Sequence, residues 1–177
     1  MLPIWQTEFG LGYGLLAMLR GLYAGAMATL QVPAGRLAER FGTRGVLAGG
    51  TVLAALGLAL AGTSGGLIGL AIALAISGCG SATQHPLASG AVSRAYGADA
   101  RAPLGIYNFS GDIGKAAFPA AASLLLIVMP WRVSLWVVAT AGLAVAVGIW
   151  LSLPQDRSTQ RDEHTPATTR EIGRAHV

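Results

Sequence analysis

The segment GRLAERFGTR, residues Gly35–Arg44, separates two apolar runs that are each long enough to cross a bilayer. Its charged residues are one acid, Glu39, and three bases, Arg36, Arg40 and Arg44. The next 49 residues, Gly45–Ser93, contain no Asp, Glu, Lys or Arg. Short charged segments between long uncharged runs are typical of a chain that crosses a membrane several times.

The composition of the whole chain supports this interpretation. Of its 177 residues, 53% are hydrophobic and 11% are charged, whereas a soluble domain carries about 25% charged residues. Buried core helices in a soluble protein are therefore disfavoured. The net charge of +4 does not indicate a nucleic-acid partner, because the basic residues are spread singly over short segments instead of clustering on one face. The expected surroundings are the lipid bilayer.

Hydropathy predicts an all-α fold, a polytopic membrane helix bundle over residues 1–154. The five predicted spans are residues 10–34, 45–62, 67–89, 103–129 and 133–153. The polar tail, residues 155–177, is interpreted as a linker that ends in a non-native segment, Glu171–Val177.

Basic residues fall almost entirely on one side of these five spans. Successive connections between the spans lie on opposite sides of the membrane. With the connections assigned in this way, seven arginines lie on one side and only Arg132 lies on the other. The seven are Arg36, Arg40, Arg44, Arg94, Arg101, Arg157 and Arg161. Since positive residues accumulate on the cytoplasmic side of membrane proteins, Gly35–Arg44 is predicted to be cytoplasmic.

The fourth span contains polar residues that are costly at membrane depth. Asp112 and Lys115 are three positions apart, and Asn108 lies one turn earlier on the same helix face. Two interpretations remain open: a structural ion pair that neutralises itself, and a site that binds protons or substrate. Ionisable residues inside a membrane are usually functional, which favours the site.

Two further ionisable residues lie inside predicted spans. Arg20 has no acid within one helical turn, so it is expected to lie close to Asp112. His85 either makes a hydrogen bond between helices or relays protons. Glycines within the spans are expected to mark close helix contacts; the pairs concerned are Gly12/Gly14, Gly21/Gly25, Gly78/Ala82 and Gly111/Gly114.

Motifs of enzymes are missing from the sequence. It contains no Gly-x-Ser-x-Gly, Cys-x-x-Cys or His-Glu-x-x-His. No enzymatic activity, metal site or cofactor is therefore predicted.

The charged segment resembles the conserved loop between helices two and three of the major facilitator superfamily. The matching positions are Gly35, Leu37, Glu39, Arg40, Gly42 and Arg44, preceded by Gln31-Val32-Pro33. The segments GCGSATQHPLASGAVSRAYG and LGIYNFSGDIGKAAFP are similar to helices four and five of transporters of the fosmidomycin-resistance group. This group belongs to the same superfamily.

The resemblance implies that the five spans correspond to helices two to six of a twelve-helix transporter. The first helix and the C-terminal half would then be missing partners from the same protein. It also implies a fragment of a secondary active transporter in a bacterial inner membrane, which moves a small molecule by alternating access, as proton-coupled efflux.

The same resemblance assigns roles to individual residues. The gating loop would comprise Gly35, Glu39, Arg40, Gly42 and Arg44. Substrate or proton coupling would fall to Asp112, Lys115, Arg20, His85 and Asn108. Lys115 and Arg20 would favour an anionic substrate by charge complementarity.

Two other functions remain as alternatives. The chain could be a membrane scaffold or assembly protein that is complete at five spans. An intramembrane enzyme that uses Asp112 and His85 as acid and base ranks last, because no nucleophile or metal set accompanies them.

Overall fold

The structure, a computed structural model, describes residues 1–154. The predicted linker and the non-native segment Glu171–Val177 lie outside these residues. The described part contains seven α-helices and no strand. The helices are α1 (Leu2–Phe9), α2 (Tyr13–Phe41), α3 (Thr43–Thr63), α4 (Leu67–Ser81), α5 (Gln84–Tyr96), α6 (Arg101–Val128) and α7 (Trp131–Ser152).

Five of the described segments are long and apolar enough to cross a membrane. They are α2, α3, the joined segment Leu67–Asp99 that contains α4 and α5, α6 and α7. This confirms the predicted all-α membrane bundle with five spans.

The expected loop at Gly35–Arg44 is mostly helical. Helix α2 continues to Phe41, and α3 begins at Thr43, so only Gly42 separates the two helices. The residues before Phe41 favour helix, and charged side chains can extend a helix beyond the apolar region. Gly42 stops it because its φ of 85° is one that other residues rarely adopt.

The third span also differs from its predicted bounds. A turn at Ala82–Thr83 divides it, and helical structure continues past Ser89 to Tyr96. Thr83 donates its N–H to Gly80, three residues back, and Pro86 has no N–H to donate to Ala82. The helix therefore changes its hydrogen bonding just before His85.

Small residues pack α3 at the centre of the bundle, mainly against α4 and α7. A Cβ on Gly57 would lie 2.7 Å from Ser77 Cα, and one on Gly80 would lie 2.8 Å from Ala54 Cα. Such close backbone approach drives helix association in lipid. Across the α3–α7 contact, a Cβ on Gly142 would lie 3.1 Å from Ala55 Cβ.

The prediction of close helix contacts is wrong for most of the glycines named for it. Only Gly78 packs closely, against the carbonyl of Tyr23 on α2. A Cβ on the others would meet nothing within 4 Å; these are Gly12, Gly14, Gly21, Gly25, Gly111 and Gly114. Gly12 immediately precedes α2, and the others lie on α2 and α6, whose exposed faces are turned away from the rest of the described chain.

Side-chain contacts define two ends of the bundle. At one end Arg94 donates to Thr43 Oγ1 (2.8 Å) and Arg44 donates to the carbonyl of Leu153 (3.5 Å). We call this the arginine-rich end. At the opposite end Arg132 donates to the carbonyl of Ser64. The alternation of connections inferred from the arginines is therefore reproduced by the fold.

Candidate functional site

Helix α6 carries an ion pair where it is exposed at membrane depth. Lys115 Nζ lies 2.9 Å from Asp112 Oδ1, and 78% and 69% of the two side chains are exposed. Counted from Arg101, Asp112 lies about 16 Å along the helix and Lys115 about 21 Å. Both lie near the middle of this 28-residue helix, which is long and apolar enough to cross a membrane.

No residue of α6 is buried within the described chain. Asn108, one turn before Asp112, is exposed as well. Charged groups that face lipid at this depth are strongly disfavoured. Such groups are tolerated where a water-filled cavity or another protein surface covers them.

The expected proximity of Arg20 to Asp112 finds no support. Asp112 pairs with Lys115 on its own helix. Arg20 is exposed on α2 and makes no ion pair or hydrogen bond within residues 1–154. The sequence shows that Arg20 needs a compensating group, but the spacing of residues does not reveal how distant helices are arranged.

His85 contacts α6 through Tyr107, a residue that the sequence analysis did not identify. The Tyr107 hydroxyl lies 3.4 Å from His85 Nδ1. The two rings are stacked, with centroids 6.1 Å apart and planes inclined by 27°. His85 is exposed, and Tyr107 is half-buried.

The segment from Ser81 to His85 contacts two neighbouring helices. Ser81 accepts a hydrogen bond of 3.0 Å from the Tyr23 hydroxyl on α2, whereas His85 meets α6. The turn at Ala82–Thr83 lies between these contacts. Helices α2, α5 and α6 consequently lie side by side along one flank of the bundle.

The predicted gating residues divide into anchored and exposed groups. The Arg44 guanidinium lies 4.4 Å from the centre of the Trp150 ring on α7, so it ties the start of α3 to the end of α7. Glu39 and Arg40 are exposed. Within residues 1–154 Glu39 makes no ion pair. Gly35 lies inside α2 and Gly42 at its end.

A second charged cluster lies at the end opposite the arginines. Arg132 Nη2 lies 2.8 Å from Glu8 Oε1, and Trp131 Nε1 donates to the same carboxylate. Because Arg132 also donates to the carbonyls of Gly62 and Ser64, the cluster joins α1, α7 and the α3–α4 turn. Sequence spacing does not pair Glu8 with Arg132, because 124 positions separate them.

Comparisons with known proteins agree with this architecture. The family model described as Major Facilitator Superfamily matches residues 1–175. The probable L-galactonate transporter of Escherichia coli (strain K12) is 26% identical over 153 residues, which cover 86% of this chain and 34% of that protein. The chain thus spans about a third of the length of this relative.

No solved structure matches the chain. The family match and the relative from Escherichia coli do not support the narrower likeness to the fosmidomycin-resistance group, which stays a prediction. The family match covers nearly the whole chain, and five described helices are suited to crossing a membrane. The chain belongs to the major facilitator superfamily and is an integral membrane protein of a transporter family.

Proposed function

We propose that the chain is part of a longer secondary transporter that carries a small organic anion through a path lined by α2, α5 and α6. The observation that carries the proposal is the exposed Asp112–Lys115 pair in the middle of a membrane-spanning helix. An ion pair at that depth is tolerated beside a water-filled cavity and disfavoured beside lipid.

Lys115 supplies the positive charge for an anionic substrate. In the observed arrangement the Lys115 ammonium group is paired with the Asp112 carboxylate. A substrate carboxylate therefore competes with Asp112 for the same ammonium group. Protonation of Asp112 removes the competitor. Proton binding and anion binding therefore favour each other, which is a positive linkage between the two ligands.

This linkage bears on the direction of transport. Efflux in exchange for protons, predicted from the sequence, requires that proton and substrate exclude each other. The competition at Lys115 favours movement of proton and anion together, hence uptake along an inward proton gradient. Among the described helices packed against α6, His85 on α5 is the other ionisable group near this depth, while Arg94 and Arg132 lie towards the two ends.

The substrate class is proposed to be a hydroxylated organic acid. The name of the relative from Escherichia coli refers to a sugar acid, L-galactonate. Such a molecule combines one carboxylate with several hydroxyl groups. Lys115, Asn108, Tyr107 and Arg20 provide a matching set of cationic and hydrogen-bonding side chains.

In a transporter that works by alternating access, the arginine-rich end would serve as a gate. Glu39 and Arg40 are exposed on the last turn of α2, where they can pair with a further part of a longer transporter in one of its states. We place this end in the cytoplasm of a bacterial cell, because positively charged residues accumulate there.

Flux measurements on the full-length protein that carries this chain test the proposal. In proteoliposomes, uptake of a labelled six-carbon sugar acid should rise as external pH falls. Asp112→Asn should flatten this dependence, and Lys115→Gln should reduce uptake at least about tenfold, since a charge-assisted hydrogen bond is lost. Ser110→Ala is the matched control, because Ser110 lies on α6 and bonds only to Ile106 within residues 1–154.

Two results would contradict the proposal. Substrate release driven by inward proton flow would restore efflux as the direction. Absence of flux for any sugar acid, with no apolar spans encoded beside this chain in the genomic reading frame, would favour the five-span scaffold.

A further inference from the structure

The contact between Tyr107 and His85 is poised to exchange one partner for another. Its separation of 3.4 Å exceeds the usual length of a hydroxyl hydrogen bond, about 2.8 Å. His85 is exposed, and the pair lies at the junction of α5 and α6. A ligand hydroxyl can therefore insert between the two groups or replace one of them.

Tyr107 and Lys115 are positioned as two ends of one site. Eight residues separate them, which corresponds to about 12 Å along the helix axis. The two side chains lie within about 80° of each other around α6, on the half of the helix that also carries Asn108. Asn108 thus provides a donor and an acceptor between the two ends.

The length of this interval limits the ligand. This distance of about 12 Å is the rise between the Cα atoms, and Lys115 Nζ reaches back to Asp112, so the gap between the two polar groups is shorter. A six-carbon sugar acid, the class of the proposed substrate, carries a carboxylate and a distal hydroxyl that can reach both groups. A shorter acid would bind Lys115 without reaching Tyr107. An acid without a distal hydroxyl would reach Tyr107 but leave it without a partner.

We infer that Tyr107, supported by His85, is a specificity-determining residue that binds the hydroxyl group farthest from the carboxylate of a six-carbon hydroxy acid, while Lys115 binds the carboxylate. The inference rests on the proposed function and deepens it. Tyr107 contacts substrate in this arrangement, and His85 positions the Tyr107 hydroxyl through the contact between them.

A comparison of three acids on two proteins tests the inference. The probes are a hexonate, its 6-deoxy analogue, and the three-carbon glycerate, assayed by uptake into proteoliposomes that contain the full-length protein. Wild-type protein should prefer the hexonate over its 6-deoxy analogue by about tenfold in kcat/KM, the effect of one hydrogen bond. Tyr107→Phe should abolish this preference, and wild-type protein should use glycerate, which does not reach Tyr107, less well than the hexonate.

Tyr96→Phe is the matched control, since Tyr96 is 56% exposed at the end of α5 and should keep the preference. Retention of the preference by Tyr107→Phe would overturn the inference and leave the proposed function intact. Equal kcat/KM values of wild-type protein for the hexonate and its 6-deoxy analogue would also overturn the inference, whatever the variants show. Failure of the wild-type protein to move any of the acids would overturn the proposed function and, with it, this inference.

Discussion

Gly57 lies where α3 crosses α4, and a hydrogen atom is the largest group that fits there. A Cβ at this position would lie 2.7 Å from Ser77 Cα, a backbone atom that cannot move independently. Gly57→Ala should therefore lower the free energy of unfolding by about 1–3 kcal/mol, the usual range for overpacking. Unfolding in detergent micelles measures the change.

Gly49 provides the control for this prediction on the same helix. It is exposed, and a Cβ there would meet nothing within 4 Å. Gly49→Ala should be neutral or slightly stabilising, because alanine favours helix more than glycine does. Equal losses in the two variants would show that helix α3 does not pack on α4 through Gly57.

Individual residues differ in how visible they are in the sequence. The spacing of Asp112 and Lys115 fixed them as neighbours because both lie on one helix, and the structure places them 2.9 Å apart. Tyr107 was missed because a tyrosine in an apolar span is unremarkable. Its contact is with His85, which lies 22 positions away. Contacts between helices depend on tilt and rotation, which local spacing does not encode.

At the scale of elements, the Glu8–Arg132 pair connects three segments at the end opposite the arginines. The two side chains are 36–37% exposed, so a double-mutant cycle with Glu8→Gln and Arg132→Gln should give a coupling of only about 0.5 kcal/mol. Arg132→Gln should lower the free energy of unfolding more than Glu8→Gln does, because it also removes hydrogen bonds to the carbonyls of Gly62 and Ser64. Equal losses of unfolding free energy in the two single variants would contradict the hydrogen bonds from Arg132 to these carbonyls.

Arg44 connects α3 to α7 at the arginine-rich end. Arg44→Gln removes the contact with the Trp150 ring and weakens the bond to the Leu153 carbonyl. We expect a loss of about 1 kcal/mol in unfolding free energy. Arg36→Gln is the matched control, since Arg36 is exposed and makes no hydrogen bond or ion pair within residues 1–154. A similar loss in the control would attribute the effect to net charge.

The boundaries of elements were harder to predict than their number. Residues Gly35–Phe41 include the charged side chains of Arg36, Glu39 and Arg40, and this charge was interpreted as a loop, yet the segment completes α2. Polarity reports where a chain leaves the lipid, whereas backbone hydrogen bonding decides where a helix ends. The two positions differ because a helix can continue into water until a residue such as Gly42 stops it.

At the scale of the whole molecule, the alternation of connections predicts which residues are accessible from each side. With Cys79 replaced by alanine, Gly65→Cys at the α3–α4 turn should react with a membrane-impermeant thiol reagent added to intact cells. Tyr96→Cys, at the end of α5, should react only after the membrane is opened. Both positions are exposed. Labelling of the second variant in intact cells would contradict the predicted orientation.

The number of spans and the division into two ends were accessible from sequence because both follow from simple physical requirements. Each crossing needs about 20 apolar residues, and arginines mark one side. The central place of α3 was not predicted. It depends on which glycines meet a partner backbone, and Gly21 and Gly57 look alike in the sequence although only Gly57 does so.

The length of α2 exceeds the thickness of the membrane that it crosses. Its 29 residues extend about 43 Å, against about 30 Å of hydrocarbon. We expect the surplus at the arginine-rich end, where the charged residues of α2 lie, so that the charges around Glu39 and Arg40 are hydrated and screened by dissolved ions. Ionic strength on that side should therefore shift the balance between the conformations of a transporter that uses these charges as a gate.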